Sequence, residues 1–235
     1  RLGETGRVQE GRAAMGAVAF FRGDLLAARA HLEHALCHRD PPLPPAPTFH
    51  SGHSSIRVTH LAWMMQVLWE LGYADQAQQL SVEAMALAQQ CGAPSSLAYA
   101  QLYATMFSQC RRDAAATYAR ADALMAFGTA QGLAHRAAQG RLLRGWALAM
   151  QGDATAGVEH AQQGLAAIQG AGLKVYRPYF LALLAEAYGQ AGQPEAGLTV
   201  LAEALTLVAA TEERWWEAEL YRLQGELLRQ LTRPI

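Results

Sequence analysis

The sequence predicts an all-α protein built from repeated helical hairpins, and three observations carry this prediction. Half of the 235 residues are hydrophobic (51%), which is enough for a sizeable core. Residues with high helix propensity dominate, and no stretch alternates apolar and polar residues for long enough to form a strand. Small residues recur every 40 positions. We therefore expect a right-handed superhelix of antiparallel helical hairpins, an α-solenoid of about 11 helices.

The repeat is clearest at the residue that follows the first helix of each hairpin. This turn position holds residues spaced 40 apart: Gly72, Arg112, Gly152, Gly192 and Thr232. Three further columns, one on the first helix and two on the second, hold mostly small residues: Met65, Thr105, Gly145, Ala185 and Gly225; Ala77, Thr117, Gly157 and Gly197; Ala84, Leu124, Gly164 and Ala204. Small side chains allow two helices to approach to roughly 8–10 Å. We expect Gly145 and Gly225 to lie at such close crossings.

The first hairpin repeats the pattern but is set apart by an insertion. Gly16, Gly23, Ala28 and Ala35 occupy the same columns, and Gly23 precedes Gly72 by 49 residues, so about nine are inserted. The insertion contains the proline-rich stretch 40–47, and proline lacks the amide donor that a helix needs. We expect an extended loop over residues 40–53, with proline-directed partner binding as a less favoured interpretation.

These elements predict one domain over residues 1–235, which we expect to be a fragment of a longer protein. The predicted hairpins cover about 4–38, 54–90, 94–130, 134–169 and 177–210, and a terminal helix covers 213–231. Terminal repeats need a polar outer face, yet the last helix carries Trp215, Trp216 and Leu220 beside its charges. We expect an apolar face there that is incompletely covered or that mediates self-association.

The residues at these repeated positions resemble those of the tetratricopeptide repeat. The unit that matches best has these residues at the signature positions: Leu184, Ala185, Tyr188, Gly192, Gly197, Leu201 and Ala204. The 40-residue period exceeds the usual 34 and resembles the longer variant of large bacterial signalling ATPases, including those fused to adenylate cyclase or LuxR-type domains. Residues 177–189 are especially similar to the C-terminal repeat region of those proteins. The resemblance implies a protein- or peptide-binding scaffold or sensor segment of a bacterial signalling or transcription-regulating protein.

Several classes of function find no support in the sequence. The formal charge is −1 without a basic stripe, so we expect no direct nucleic-acid contact. No apolar run approaches the roughly 20 residues that span a bilayer, so we expect no membrane segment. The start of the sequence has no charged segment followed by an apolar one, so we expect no leader. Three cysteines, an odd number, indicate a reducing compartment, so we expect a cytoplasmic protein. The single lysine, Lys174, is not in a phosphate-binding loop, and we expect no enzyme activity and no cofactor.

Two candidate chemical sites are not favoured. His31, His34 and His38 share one face of the second helix, and His34 and His38 have a spacing that can chelate a metal. Solvated histidines beside the core are the favoured interpretation, so we predict no metal site. Cys110 lies beside Arg111 and Arg112, which can lower the pKa of a thiol, but the expected surroundings are a repeat surface without a nearby base.

The functional prediction is a partner-binding groove. In a tetratricopeptide superhelix the first helix of each hairpin lines the inner surface, and its positions here hold mainly apolar and aromatic residues: Trp69, Tyr99, Leu102, Met106, Leu142, Trp146, Tyr179 and Glu186. An exposed apolar groove on a soluble protein indicates a binding site for an amphipathic helix or extended peptide. Two alternatives stay open. These side chains are buried against one another, or a small regulatory ligand occupies the superhelical hollow between ionisable groups.

Overall fold

The computed structural model describes residues 2–37 and 56–232, and within these ranges the only regular secondary structure is helix. Eleven helices follow one another: α1 Leu2–Phe21, α2 Leu25–Leu36, α3 Ile56–Glu70, α4 Ala74–Cys91, α5 Pro94–Cys110, α6 Ala114–Ala130, α7 Ala134–Met150, α8 Ala154–Gly170, α9 Arg177–Gln190, α10 Pro194–Thr211 and α11 Glu217–Thr232. The prediction of an all-α fold of about 11 helices is confirmed. The proline-rich insert at 40–53 lies outside the described residues.

The chain divides into two compact units, with the boundary inside α5 between Ala104 and Thr105. In unit 1, α1 packs on α2 and α3, and α3 packs on α4. Val58, Ala88 and Ala100 form a core cluster that joins α3, α4 and the first part of α5. The prediction of one domain over the whole chain stays a prediction.

Unit 2 is organised around α9. This helix contacts α7, α8, α10 and α11, and every residue from Pro178 to Ala187 is buried. The sequence Pro178-Tyr-Phe-Leu-Ala-Leu-Leu-Ala-Glu-Ala explains the burial, since its only ionisable side chain other than the tyrosine is Glu186. A helix that is apolar on all sides has to lie inside the fold.

Short turns join the helices, and the repeat sequence accounts for their form. Asp24, Asp113 and Asp153 cap α2, α6 and α8, each accepting a hydrogen bond from the backbone N–H three residues later. Such caps satisfy amides that have no partner within the helix. The residue before each of these aspartates has a positive φ, which is 81° at Gly23 and 100° at Gly152. Arg112 adopts this left-handed conformation without being glycine.

The close crossing that we expected at Gly145 is present. A Cβ atom added to Gly145 would lie 2.5 Å from the Ala161 nitrogen and 2.6 Å from the Gly157 oxygen. Backbone therefore meets backbone where α7 crosses α8. The same expectation is wrong for Gly225, which has no neighbouring atom within 4 Å of its added Cβ. No described helix packs on that side of α11, whereas α8 packs on the equivalent side of α7.

We expect the substitution Gly145→Leu to destabilise unit 2 by about 3 kcal/mol, since neither backbone segment can give way to the new side chain. Thermal unfolding followed by circular dichroism measures the effect. Gly225→Leu is the matched control, because the open space at Gly225 accepts the side chain and leucine has the higher helix propensity. Equal loss of stability in both variants would contradict the assignment of Gly145 to a backbone crossing.

The terminal helix begins at Glu217 instead of the predicted residue 213. Glu212 ends α10 in the left-handed region (φ 58°), and the segment before α11 places Trp215 and Trp216 against Tyr179. Leu220, Leu223 and Leu227 of α11 are buried. Leu227 occupies the space that side chains would fill at Gly189 and Gly197, so α11 packs closely against α9 and α10. Its apolar stripe is thus covered, while Tyr221, Leu228 and Leu231 stay exposed.

Candidate functional site

The predicted groove residues are for the most part buried. In unit 1, Leu102 is buried, whereas Trp69 and Tyr99 are half-buried. In unit 2, Met106, Leu142, Trp146 and Tyr179 are each 0% exposed and Glu186 is 7% exposed. The expectation of an open apolar lining is therefore wrong at these six positions, because the side chains fill the space between neighbouring helices. Their part in binding a partner stays a prediction.

A hydrogen-bonded group links α5, α7 and α9 within unit 2. The Trp146 indole N–H donates to Glu186 Oε2 at 2.6 Å, and Tyr179 donates its hydroxyl to Gln109 Oε1 at 2.8 Å. Both acceptors are buried. Trp146 and Glu186 stand one repeat apart, so the 40-residue register brings them side by side. Polar atoms in such surroundings need partners, and this group supplies them.

Arg112 completes the group from the turn between α5 and α6. Its Nη2 lies 2.5 Å from Glu186 Oε1, and its guanidinium carbon lies 5.5 Å from the centre of the Trp146 ring. Glu186 thus receives an indole N–H on one oxygen and a guanidinium on the other. The carboxylate side chain is 8% exposed and the arginine side chain 50% exposed. Arg112 therefore neutralises a buried acid while presenting part of its own surface to solvent.

The backbone at Arg112 carries a cost that the ion pair offsets. Its φ is 61°, in the region that the other turns fill with Gly23, Gly72, Gly152 and Gly192. A side chain in this conformation is disfavoured by about 1 kcal/mol relative to glycine. Glycine at position 112 would relieve this strain but could not reach Glu186.

We expect Arg112→Gly to lower the stability of unit 2 by about 1–3 kcal/mol, because a buried carboxylate without its cation costs more than the backbone relief returns. Urea unfolding monitored by tryptophan fluorescence measures the change. In a Glu186→Gln background the same substitution should be neutral or stabilising. Glu212→Gly, at another non-glycine residue with positive φ, serves as control and should not destabilise. Destabilisation by Arg112→Gly that persists in the Glu186→Gln background would show that the ion pair is not the cause.

A pocket opens beside this group in unit 2. Its volume is about 270 Å³, and its lining comes from the end of α5, the turn after it, the segment before α11 and the first half of α11: Gln109, Cys110, Arg112, Trp216, Glu219 and Arg222. Arg222 binds Glu219 through Nε and Nη2 at 2.6 and 2.7 Å. This hydrogen bonding raises the pKa of Arg222, and the charge of Glu186 contributes in the same direction. The two cations of the pocket are therefore each matched by a carboxylate.

The eight groove residues predicted from the sequence include none of the residues that line this pocket. Trp216, Glu219 and Arg222 belong to the terminal helix region, which was considered only as an end of the repeat. Arg112 did carry a signal, since it is a charged residue in a column of glycines. A large side chain at a position that favours glycine indicates that the side chain makes a contact that offsets the backbone strain.

Unit 1 holds a smaller aromatic group that includes the predicted groove residue Tyr99. The Trp63 indole N–H donates to the Tyr103 hydroxyl at 3.0 Å, and Tyr99 lies stacked on Tyr103 with ring centres 4.7 Å apart. Tyr99 and Trp63 are half-buried and Tyr103 is buried. The group stabilises the packing of α3 on α5 within this unit.

The described residues give no support for either of the two less favoured chemical sites, the histidine cluster of α2 and Cys110. His31 and His34 lie on α2, while His38 lies outside the described residues. Within the part of the chain that the structure describes, no three metal-binding side chains come together. Cys110 lines the pocket with its sulfur 3.7 Å from Gln109 Oε1, and that lining contains no histidine.

An aromatic cluster shares Trp216 with the pocket, and a buried acid is hydrogen-bonded to it. Tyr176, Tyr179, Trp215 and Trp216 contact one another with ring centres 4.9 to 6.4 Å apart. Glu213 accepts a hydrogen bond from the Trp215 indole at 3.3 Å and is 8% exposed. Burial raises the pKa of Glu213 to about 7, against the opposing effect of the Trp215 and Tyr176 hydrogen bonds.

Comparison with solved structures identifies the architecture. A thermophilic tetratricopeptide-repeat protein of Thermus thermophilus matches 96% of this chain over 100% of its own length, with a TM-score of 0.57 and 17% identity. The apo form of RapI matches with a TM-score of 0.59 and 10% identity, covering 93% of this chain and 77% of its own. A putative kinesin light chain of Podospora anserina with nearly identical tetratricopeptide-like repeats gives a TM-score of 0.55 at 18% identity, covering 88% and 97%.

These similarities show that the chain is a tetratricopeptide-like α-solenoid, and they identify the fold without identifying a function. No family model matches the sequence. No curated protein matches it either. Among the described helices, none is both long and apolar enough to cross a membrane.

Proposed function

We propose that this chain is a protein- or peptide-binding repeat module that serves as a scaffold or sensor segment of a multidomain bacterial signalling or transcription-regulating protein in the cytoplasm. The repeat architecture and the resemblance of residues 177–189 to bacterial signalling ATPases support this context. The observation that carries the proposal is the pocket of unit 2, which lies on the first helices of the hairpins, where repeat proteins of this kind receive partners.

The pocket suits one short polar segment of a partner. Trp216 contributes an aromatic surface, and Arg112 and Arg222 contribute guanidinium groups, each with five N–H donors of which only some bind Glu186 and Glu219. Because those charges cancel in pairs, the pocket favours a segment without a large net charge that offers hydrogen-bond acceptors, such as main-chain carbonyl groups.

The direct test is a selection of peptides of about 12 residues from a random displayed library on the 235-residue chain. Affinity of the selected peptide is then measured by fluorescence anisotropy. Arg222→Ala should weaken binding by about 10-fold, the usual effect of losing a charged hydrogen bond. Arg229→Ala is a matched control, because Arg229 pairs with Glu226 on the same helix but lies outside the pocket. Equal effects of the two variants, or failure to enrich any peptide, would contradict the proposal.

A small-molecule sensor is the second candidate, and the ionisable lining of the pocket favours it. Its volume of about 270 Å³ is slightly below the range of small-ligand pockets, which begins at roughly 300 Å³, so the ligand would have to be small. In that case compounds from a metabolite library should raise the melting temperature of the chain, the shift should disappear in Arg222→Ala, and no peptide should compete.

A further inference from the structure

We propose that Glu213 controls the pocket of unit 2: its neutral carboxyl holds the segment between α10 and α11 in place, and its ionisation releases that segment together with Trp216. This role rests on the proposed function, in which the pocket receives the partner. Glu213 stands out within the repeat. The residues one, two and three repeats earlier are all apolar: Leu173, Leu133 and Ala93. An acid therefore stands where the other connections between hairpins have an apolar side chain.

Glu213 is also more deeply buried than those apolar residues. It is 8% exposed, whereas all three of them are half-buried. Its carboxyl accepts a hydrogen bond from the Trp215 indole N–H at 3.3 Å and another from the backbone N–H of Tyr176. The carboxyl therefore joins the connection before α9 to the connection before α11.

No cation balances this carboxyl among the described residues. Residues 171–177 and 212–217, which surround it, carry five other charged side chains: Lys174, Arg177, Glu212, Arg214 and Glu217. Arg177 pairs with Glu203 at 2.6 Å, and none of the five acts on the pKa of Glu213, which burial raises to about 7. The two hydrogen bonds favour the ionised form but do not offset its loss of hydration. Ionised Glu213 therefore leaves a negative charge without a cation inside unit 2.

The backbone on both sides of this carboxyl is strained. Tyr176 has a φ of 66° and Glu212 has a φ of 58°, in the left-handed region that is unfavourable for large side chains. Tyr176 is also buried, and its N–H is one of the two groups that Glu213 binds. When the ionised carboxylate turns toward water, it gives up this hydrogen bond and both connections can relax. Hydration of the carboxylate and relaxation of the backbone therefore favour the same released form.

Two series of contacts lead from the carboxyl to the pocket. Trp215, its hydrogen-bond donor, contacts Trp216 with ring centres 4.9 Å apart, and Trp216 lines the pocket. Trp215 also contacts Tyr179 with ring centres 5.5 Å apart. The Tyr179 hydroxyl donates at 2.8 Å to Gln109, which is another residue of the lining. Release of Trp215 therefore removes support from Trp216 and Gln109 and lowers the affinity of the pocket for a partner.

Proton linkage gives the direction of the change. The pKa of Glu213 is about 7 in the held form and takes its ordinary value of 4.5 when the carboxyl is released into water. The released form therefore gains population as the pH rises from 4.5 to 7, and its advantage is constant above that range. Acidic conditions hold the segment in place, and neutral or alkaline conditions release it.

Amide hydrogen exchange measured by mass spectrometry tests the release without any ligand. We expect residues 171–176 and 212–222 to lose at least about 10-fold in protection between pH 5 and pH 8, after correction for intrinsic exchange rates. Glu213→Gln should keep equal protection at both pH values, because glutamine does not ionise. Glu195→Gln, at an exposed residue of α10, is the matched control and should behave as the wild type. Wild-type protection that is constant with pH, or a loss that persists in Glu213→Gln, would overturn the proposal.

The affinity of a selected peptide without ionisable side chains tests the effect on binding. The wild type should bind it at least about threefold more weakly at pH 8 than at pH 5, and Glu213→Gln should bind it equally at both. Loss of protection with unchanged affinity would overturn the control of the pocket by Glu213. If no peptide binds at either pH, the proposed function fails. Exchange in residues 212–222, which include Trp216, Glu219 and Arg222 of the lining, then still decides whether Glu213 controls the pocket.

Discussion

Replacing Trp146 by Ala is expected to lower the free energy of unfolding of unit 2 by about 3–5 kcal/mol. Trp146 is 0% exposed, so its removal leaves a large cavity lined by neighbouring helices. It also leaves Glu186 Oε2 without its indole donor and Arg112 without the ring beneath it. Urea unfolding followed by circular dichroism measures the change.

Two further variants separate the effect of the lost hydrogen bond from the effect of the lost buried surface. Trp146→Phe keeps most of the buried surface and removes only the N–H, so it should cost about 1–2 kcal/mol. Tyr221→Ala changes an aromatic residue that is 56% exposed and should cost less than about 0.5 kcal/mol. A Trp146→Ala protein that unfolds like the wild type and fails only in partner capture would instead favour an open groove at this position.

The second large effect concerns pH and Glu213. Because burial raises the pKa of Glu213 to about 7 from the usual 4.5, the folded protein holds this proton more tightly than the unfolded chain. The stability contributed by the protonated form is therefore present below pH 4.5 and is lost as pH rises to about 7. Above that pH the folded state carries the cost of a buried carboxylate, which corresponds to roughly 3 kcal/mol.

The variant Glu213→Gln isolates this contribution, since glutamine is neutral at every pH and can still accept the Trp215 hydrogen bond. We expect it to match the wild type near pH 4.5 and to be more stable by roughly 2–3 kcal/mol near pH 8. Glu195→Gln, at an exposed residue of α10, is the control variant. A stability difference for Glu213→Gln that is constant across this range would show that Glu213 is ionised at all these pH values in the folded state.

Local sequence signals predicted the helices well because their causes are local. Proline at the start of α9 and α10, aspartate caps, and glycine at the turns all act within a few residues. The start of α11 was missed by four residues because Trp215 and Trp216 pack against Tyr179. This contact between distant residues outweighs their own tendency to extend the helix.

The candidate site was predicted less well, because exposure depends on how closely helices approach. The repeat register correctly placed Trp146 and Glu186 on facing helices, but it could not show the distances between α5, α7 and α9. Those distances are short enough that Trp146 and Tyr179 fill the interior instead of lining an open groove. The register also treated Gly145 and Gly225 alike, although only Gly145 has a second helix against it.

The class of fold, the number of helices and the columns where helices meet follow from the amino-acid sequence, because helix propensity, capping and a 40-residue period are properties of neighbouring residues and regular spacing. Which of those columns are buried became clear only from the packed helices. Packing also brings Arg112, Trp216 and Arg222 into one pocket and buries Glu213 beside Trp215. Burial, pKa and pocket shape depend on side chains far apart in the chain, whose positions follow from how the helices pack.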